Sequence, residues 1–159
     1  FGRIYLYKNI KPIDERHGPE PLESNFTSES LFRLIKSKKR NIKALLLDQS
    51  MIAGLGNIYA DESLWKSKIH PNSLSHKIPK KRIDKLYYNI RTILTKAIEQ
   101  NGTTIIDFSV NGESGKYTNE LKVYGKNNSK CYHCNNKIIK IRVAGRGTYI
   151  CQKCQKNYK

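Results

Sequence analysis

Four cysteines constrain this chain more than any other feature. They occur as Cys131-x2-Cys134 and Cys151-x2-Cys154, with sixteen residues between the pairs. Two tight turns of this spacing joined by a hairpin can bring four thiolates to the ~2.3 Å that tetrahedral zinc requires. The spacing therefore predicts a four-cysteine zinc ribbon with one structural Zn2+ held by Cys131, Cys134, Cys151 and Cys154. A disulfide pair would suit a small secreted domain, whereas a basic chain without a signal peptide belongs where thiols stay reduced. His133 lies next to Cys134 and is left outside a shell that four sulfurs already complete. With no open coordination position the metal holds the hairpin and performs no chemistry.

The residues between the cysteine pairs support this. Lys137 to Val143 and Thr148 to Ile150 read as short β runs separated by Gly145-Arg146-Gly147, a hairpin signature that places Arg146 at the tip. There its guanidinium can bind phosphate bidentately or enter a groove. The chain has 159 residues, 30 Lys+Arg and 13 Asp+Glu, a formal charge of +17, and such an excess calls for a polyanionic partner. From Lys122 onward there are ten basic residues and no acidic one. Nucleic acid is the leading candidate. A hydrophobic fraction of 38% still permits a core, so wholesale disorder is excluded. No apolar run approaches the ~18 to 20 residues of a membrane span, and the start FGRIYLYKNI lacks the parts of a signal peptide. A soluble intracellular protein is expected.

Upstream, Phe1 to Tyr7 reads as a strand that needs partners, and the initial Phe1 suggests that an N-terminal portion is missing. A Pro/Gly connector follows. Thr27 or Ser28 caps a helix carrying Leu31, Leu34 and Ile35, and Asn41 to Met51 reads as a second helix. Gly54 and Gly56 break it, and Asp61 to Lys68 forms a third. Asn57 either caps that third helix or joins its N-terminus in holding phosphate. A long amphipathic helix after Pro79 places Ile83, Leu86, Tyr87, Ile90, Ile93, Leu94, Ala97 and Ile98 on one stripe and stops at Asn101-Gly102. Val110 to Thr118 reads as an exposed loop.

Six motifs then appear in order: Gly18-Pro-Glu-Pro-Leu22, Ala53-Gly-Leu-Gly-Asn-Ile-Tyr-Ala60, Ile69-His-Pro71, Gly102-Thr-Thr104, Asn119-Glu-Leu-Lys-Val-Tyr-Gly125 and Val143-Ala-Gly-Arg-Gly-Thr148. Together with the cysteine spacing they resemble bacterial formamidopyrimidine-DNA glycosylase, of the family that also contains endonuclease VIII, along nearly the whole chain. The resemblance implies a mainly α fold with a small β appendage: residues 1–10 as the residual strand of an absent β-rich domain, 11–27 as linker, 28–121 as a helix-two-turn-helix DNA-binding domain, and 122–159 as the zinc-ribbon hairpin. It further implies that Asn57 and Arg146 bind phosphate, that Lys43 and Tyr124 lie near the phosphate or the lesion, and that Phe1 fills the void left by an everted base. The resemblance also implies that Gly115, Lys116, Tyr117 and Thr118 fall in the loop that closes over that base.

The family attacks the sugar with an N-terminal proline amine, assisted by a glutamate and a lysine, none of which matches a position here, so no catalytic residue is assigned. The expected function is the DNA-binding C-terminal portion of a bifunctional glycosylase and abasic-site lyase that removes formamidopyrimidines and 8-oxoguanine, with this chain alone inactive. The expected partner is double-stranded DNA containing an oxidised purine or an abasic site. The expected setting is a monomer in the bacterial cytoplasm, associated with the nucleoid and not with a membrane. A natural, non-enzymatic damaged-DNA-binding zinc module is the alternative, and an RNA-associated zinc ribbon a weaker one.

Overall fold

The structure is a computed structural model that describes residues 5–14, 16–103, 109–110 and 113–159. Phe1 lies outside the described residues. Tyr5 to Tyr7 form no strand, and Leu6 is fully exposed, since no described segment offers them a pairing edge. The connector instead contains a single helical turn, α1 (Lys11–Asp14), which tolerates Pro12 because a first turn leaves its N–H groups unpaired anyway.

Four further helices build the core. Helix α2 (Ser28–Lys36) starts in a capping box in which Ser30 N–H donates to Thr27 Oγ1 at 3.1 Å and Thr27 N–H to Ser30 Oγ at 2.9 Å. Helix α3 (Ile42–Leu46) is capped by Asn41, whose Oδ1 accepts from Ala44 N–H. It ends five residues short of the sequence expectation because Asp48 Oδ1 captures the N–H and hydroxyl of Ser50 and turns the backbone. Helix α4 (Asn57–Lys66) starts four residues earlier than its pattern suggests, with Gly56 as the extended N-cap and Asn57 inside the first turn. Helix α5 (Lys80–Glu99) matches expectation, stopping where Asn101 and Gly102 both take positive φ. Its apolar stripe is buried except for Tyr87, which is half-buried, and Ile98, which is 66% exposed. Phe26, Leu31, Ile35, Leu45, Leu46, Leu64, Ile83, Leu86 and Ile90 share one core cluster with Ile52 and Leu55 from the glycine turn.

Among the described residues the β content is two antiparallel pairs, β1 (Ser109–Val110) with β2 (Glu113–Ser114), and the hairpin of β3 (Ile139–Val143) with β4 (Arg146–Ile150). In the second, Val143 pairs with Arg146, so the tip is Ala144-Gly145, both at positive φ, and Arg146 opens β4 instead of occupying the tip. A two-residue turn of this handedness matches strand twist, which is why the tight connection wins over the three-residue one. The architecture is mainly α with a small β appendage. Residues 115–118 are not a free loop: the Gly115 backbone lies against Gly102, Lys116 bridges Thr103, and Tyr117 is 5% exposed.

Candidate nucleic-acid interface

The four cysteine sulfurs lie within 4.8 Å of one another, with Cys131–Cys154 at 3.8 Å and Cys134–Cys151 at 3.4 Å, and all four are free of disulfides. Tetrahedral Zn–S bonds of about 2.3 Å place sulfurs about 3.8 Å apart, so the donor set fits one structural zinc. The cluster is packed by Trp65, Val123 and Ile138, and the Trp65 ring stacks on His133 at 4.4 Å, which accounts for His133 without a ligand role. The metal thereby anchors the hairpin against α4.

Two adjacent carboxylates of α4 complete that anchoring. Asp61 Oδ1 accepts from Lys43 Nζ at 2.6 Å and its Oδ2 from Tyr149 N–H of β4 at 3.0 Å. Glu62 Oε1 accepts from the N–H groups of Lys122, Val123 and Tyr124 at 2.8 to 3.0 Å. Burial raises both carboxyls against these bonds, Asp61 to about 6. Burial also lowers Lys43, opposed by Asp61. The sequence reading missed Asp61, Glu62 and Thr148. The signal for the first two was present: they are the only acidic residues between Asp48 and Asp84 in a strongly basic chain.

The raised Asp61 carboxyl gives a pH signature. Between pH 3.8 and 6 the folded chain holds a proton that the unfolded chain has released, so the contribution is complete below 3.8 and lost as pH rises through 6. Relative to Asp61→Asn, which cannot titrate, the parent chain should gain roughly 1 kcal/mol between pH 7 and 5, read as the difference of two denaturation curves at each pH. A pH-independent difference would contradict the raised carboxyl.

Lys43 itself is fully buried. Its Nζ is spent on Asp61, on Thr148 Oγ1 at 2.7 Å and on Gly147 O at 3.4 Å, so its ammonium is closed off from solvent beneath this corner. Asn57 Nδ2 donates to the same Gly147 carbonyl at 3.2 Å, while its Oδ1 is buried without a hydrogen-bond partner among the described residues. One carbonyl thus ties α3, the first turn of α4 and β4 together beside Arg146. Arg146 is exposed, and its guanidinium has no partner among the described residues. Its charge is felt at Lys43, which it disfavours. Tyr124 is half-buried against Tyr149, ring centroids 5.0 Å apart. Tyr117 packs edge-on against Tyr59 at 5.9 Å. Beside Tyr59, a cavity of about 550 Å3 is lined by Leu22, Gly54, Leu94, Ala97 and Thr103. The structure therefore gathers Asn57, Lys43 and Arg146 at one corner.

Comparison with known proteins bears on this corner. Residues 17–109 match the formamidopyrimidine-DNA glycosylase H2TH domain, and residues 128–157 the zinc finger found in FPG and IleRS. The formamidopyrimidine-DNA glycosylase of Lactobacillus acidophilus is 49% identical across 100% of this chain and 59% of its own length. The Lactococcus lactis Fpg in complex with DNA containing an abasic site superposes with a TM-score of 0.85 at 42% identity, covering 92% of this chain and 54% of that one. The same protein with Fapy-dG-containing DNA gives 0.83 at 41% identity, covering 92% and 53%. The chain spans little more than half the length of these relatives.

Proposed function

Because this chain belongs to the formamidopyrimidine-DNA glycosylase family, we propose that it is the DNA-gripping C-terminal portion of an enzyme that excises oxidised purines, formamidopyrimidines and 8-oxoguanine among them, and then cleaves the abasic strand. The single observation that carries the DNA grip is the shared Gly147 carbonyl, which sets Asn57 at a helix N-terminus beside an exposed Arg146. A helix N-terminus and a free guanidinium are two anion-seeking groups, and held side by side they suit the backbone flanking a lesion. Tyr124 packs against Tyr149 of the adjoining strand β4. Gly115, Lys116, Tyr117 and Thr118 border the Tyr59 side, where the apolar cavity has room for an everted base.

In this reading the nucleophile is an amine outside these 159 residues. The chain alone should bind duplex containing an abasic-site analogue more tightly than intact duplex, yet form no covalent complex with abasic DNA under borohydride. Robust trapping would place a nucleophile within the chain, and equal affinity for the two duplexes would leave only nonspecific phosphate attraction. The expected setting is the bacterial cytoplasm with the chain monomeric; among the described residues no helix is long and apolar enough to cross a membrane.

A further inference from the structure

A second basic face lies at the end of helices α4 and α5 away from the Asn57 corner. Helices α4 and α5 run antiparallel: Tyr59 in the first turn of α4 shares a cavity with Ala97, whereas Ser67 at its C-terminus accepts from Arg82 at the start of α5. At 1.5 Å per residue, Lys81 is about 25 Å from Ala97 along the helix axis, well away from the Asn57 corner. Three hydrogen bonds bind residues 38–42 alongside residues 73–75: Ser75 N–H to Arg40 O at 2.9 Å, Ile42 N–H to Ser73 O at 2.8 Å, and the Ser75 hydroxyl to the Lys38 carbonyl. Residues 30–47 and 63–83, which meet here, contain no Asp or Glu.

Part of this charge is committed internally. Arg40 pairs with Asp48, Lys80 with Glu29 and Asp84, and Lys36 donates to the His76 carbonyl. Lys38, Lys39, Lys77 and Lys81 are exposed, and their ammonium groups have no partner among the described residues. Helix α5 supplies an independent observation. Its N-terminus has no capping side chain and no acidic residue in the first turn, and it places Lys80, Lys81 and Arg82 where the helix dipole disfavours cations. Three cations at the positive end of the helix dipole cost the free protein stability, and an anion relieves that cost.

We propose that this face, centred on Lys38, Lys39, Lys77 and Lys81, binds the phosphate backbone of duplex DNA remote from the Asn57–Arg146 corner. The inference rests on the DNA-binding reading above. The phosphates are supplied by the flanking part of the same duplex. A separation of about 25 Å corresponds to about seven base pairs at 3.4 Å each, so a long duplex can offer both sites their phosphates.

The test uses the whole chain and the variant Lys38→Gln/Lys39→Gln/Lys77→Gln/Lys81→Gln, which alters only exposed, unpaired side chains. Affinity is measured against salt on an abasic-analogue duplex of about 12 base pairs and on one of about 30, where each phosphate neutralised adds about 0.9 to the slope of log K against log salt. The variant should lose two or more units of slope on the long duplex while matching the parent on the short one. A slope difference that appears only when an unlabelled second duplex is added to the short one overturns the proposal, in favour of a second segment. Equal slopes for parent and variant on the long duplex overturn the proposal. A loss seen only with a structured RNA hairpin also overturns it, in favour of RNA. Failure of the parent to bind even the short duplex would instead strike the DNA-binding reading itself.

Discussion

Replacing Cys151 with serine is expected to release stoichiometric zinc and to melt the β3–β4 hairpin while leaving the α2–α5 core folded. The hairpin is two five-residue strands, too little to be stable alone, and its cluster of Trp65, Val123 and Ile138 forms around the sulfur atoms. Binding energy for structural zinc is folding energy in such a unit, so loss of one of four ligands costs far more than a typical point substitution. The α-helical core has its own apolar cluster of sixteen buried residues and does not depend on the metal. Zinc analysis together with amide exchange resolved over residues 139–150 gives the readout. Zinc retained at one per chain with a protected hairpin would remove Cys151 from the ligand set.

The second large effect is expected at Asp61. Asp61→Ala leaves the Lys43 ammonium fully buried with only a hydroxyl and a distant carbonyl for company, and frees the Tyr149 N–H. Removing one partner of a buried ion pair costs about 3 to 5 kcal/mol, a large share of a domain's total stability. For a chain of this size that is a fall in Tm on the order of 10 °C. The pair itself is weak evidence of stability, because two charges are taken from water to make it, so Lys43→Met/Asp61→Leu should recover most of the loss. Thermal denaturation of parent, single and double variants checks both statements. A loss below about 1 kcal/mol in Asp61→Ala would show that Lys43 relaxes to water and that the pair does not bind the hairpin to the helices.

The features legible in the sequence were those written locally. Paired cysteines, a caps-and-periodicity helix such as α2, and the positive-φ stop at Asn101-Gly102 each depend on residues within one or two turns of each other. The features that were not legible depend on long-range contacts. Lys43 looks like a surface cation until Asp61 and Thr148, 18 and 105 residues away, enclose it. Glu62 looks like an exposed helix carboxylate until three backbone N–H groups sixty residues on converge on it. Tyr117 lies in a Gly/Ser-containing stretch with no apolar period, and its burial is decided by Ile93, Ala97 and Leu121 together with the Tyr59 ring. The hairpin tip was misplaced by one residue because two glycines flank Arg146, and glycine marks positive φ only where the register puts it; here Ala144 takes one of the two positive-φ positions while Gly147 pairs within the ladder.

In the proposed grip, the glycine-turn end of α4 and the zinc hairpin hold one stretch of DNA backbone jointly, through Asn57 and Arg146. The most direct measurement is a double-mutant cycle, Asn57→Ala, Arg146→Ala and both together, in the affinity of the chain for a short abasic-analogue duplex at fixed salt. Arg146→Ala alone should weaken binding by about 1 to 3 kcal/mol, the value of a charge-assisted hydrogen bond, and the combined loss should be smaller than the sum of the two because each group helps place the other on the same phosphates. Unchanged affinity in both single variants, with zinc and fold intact, would contradict it.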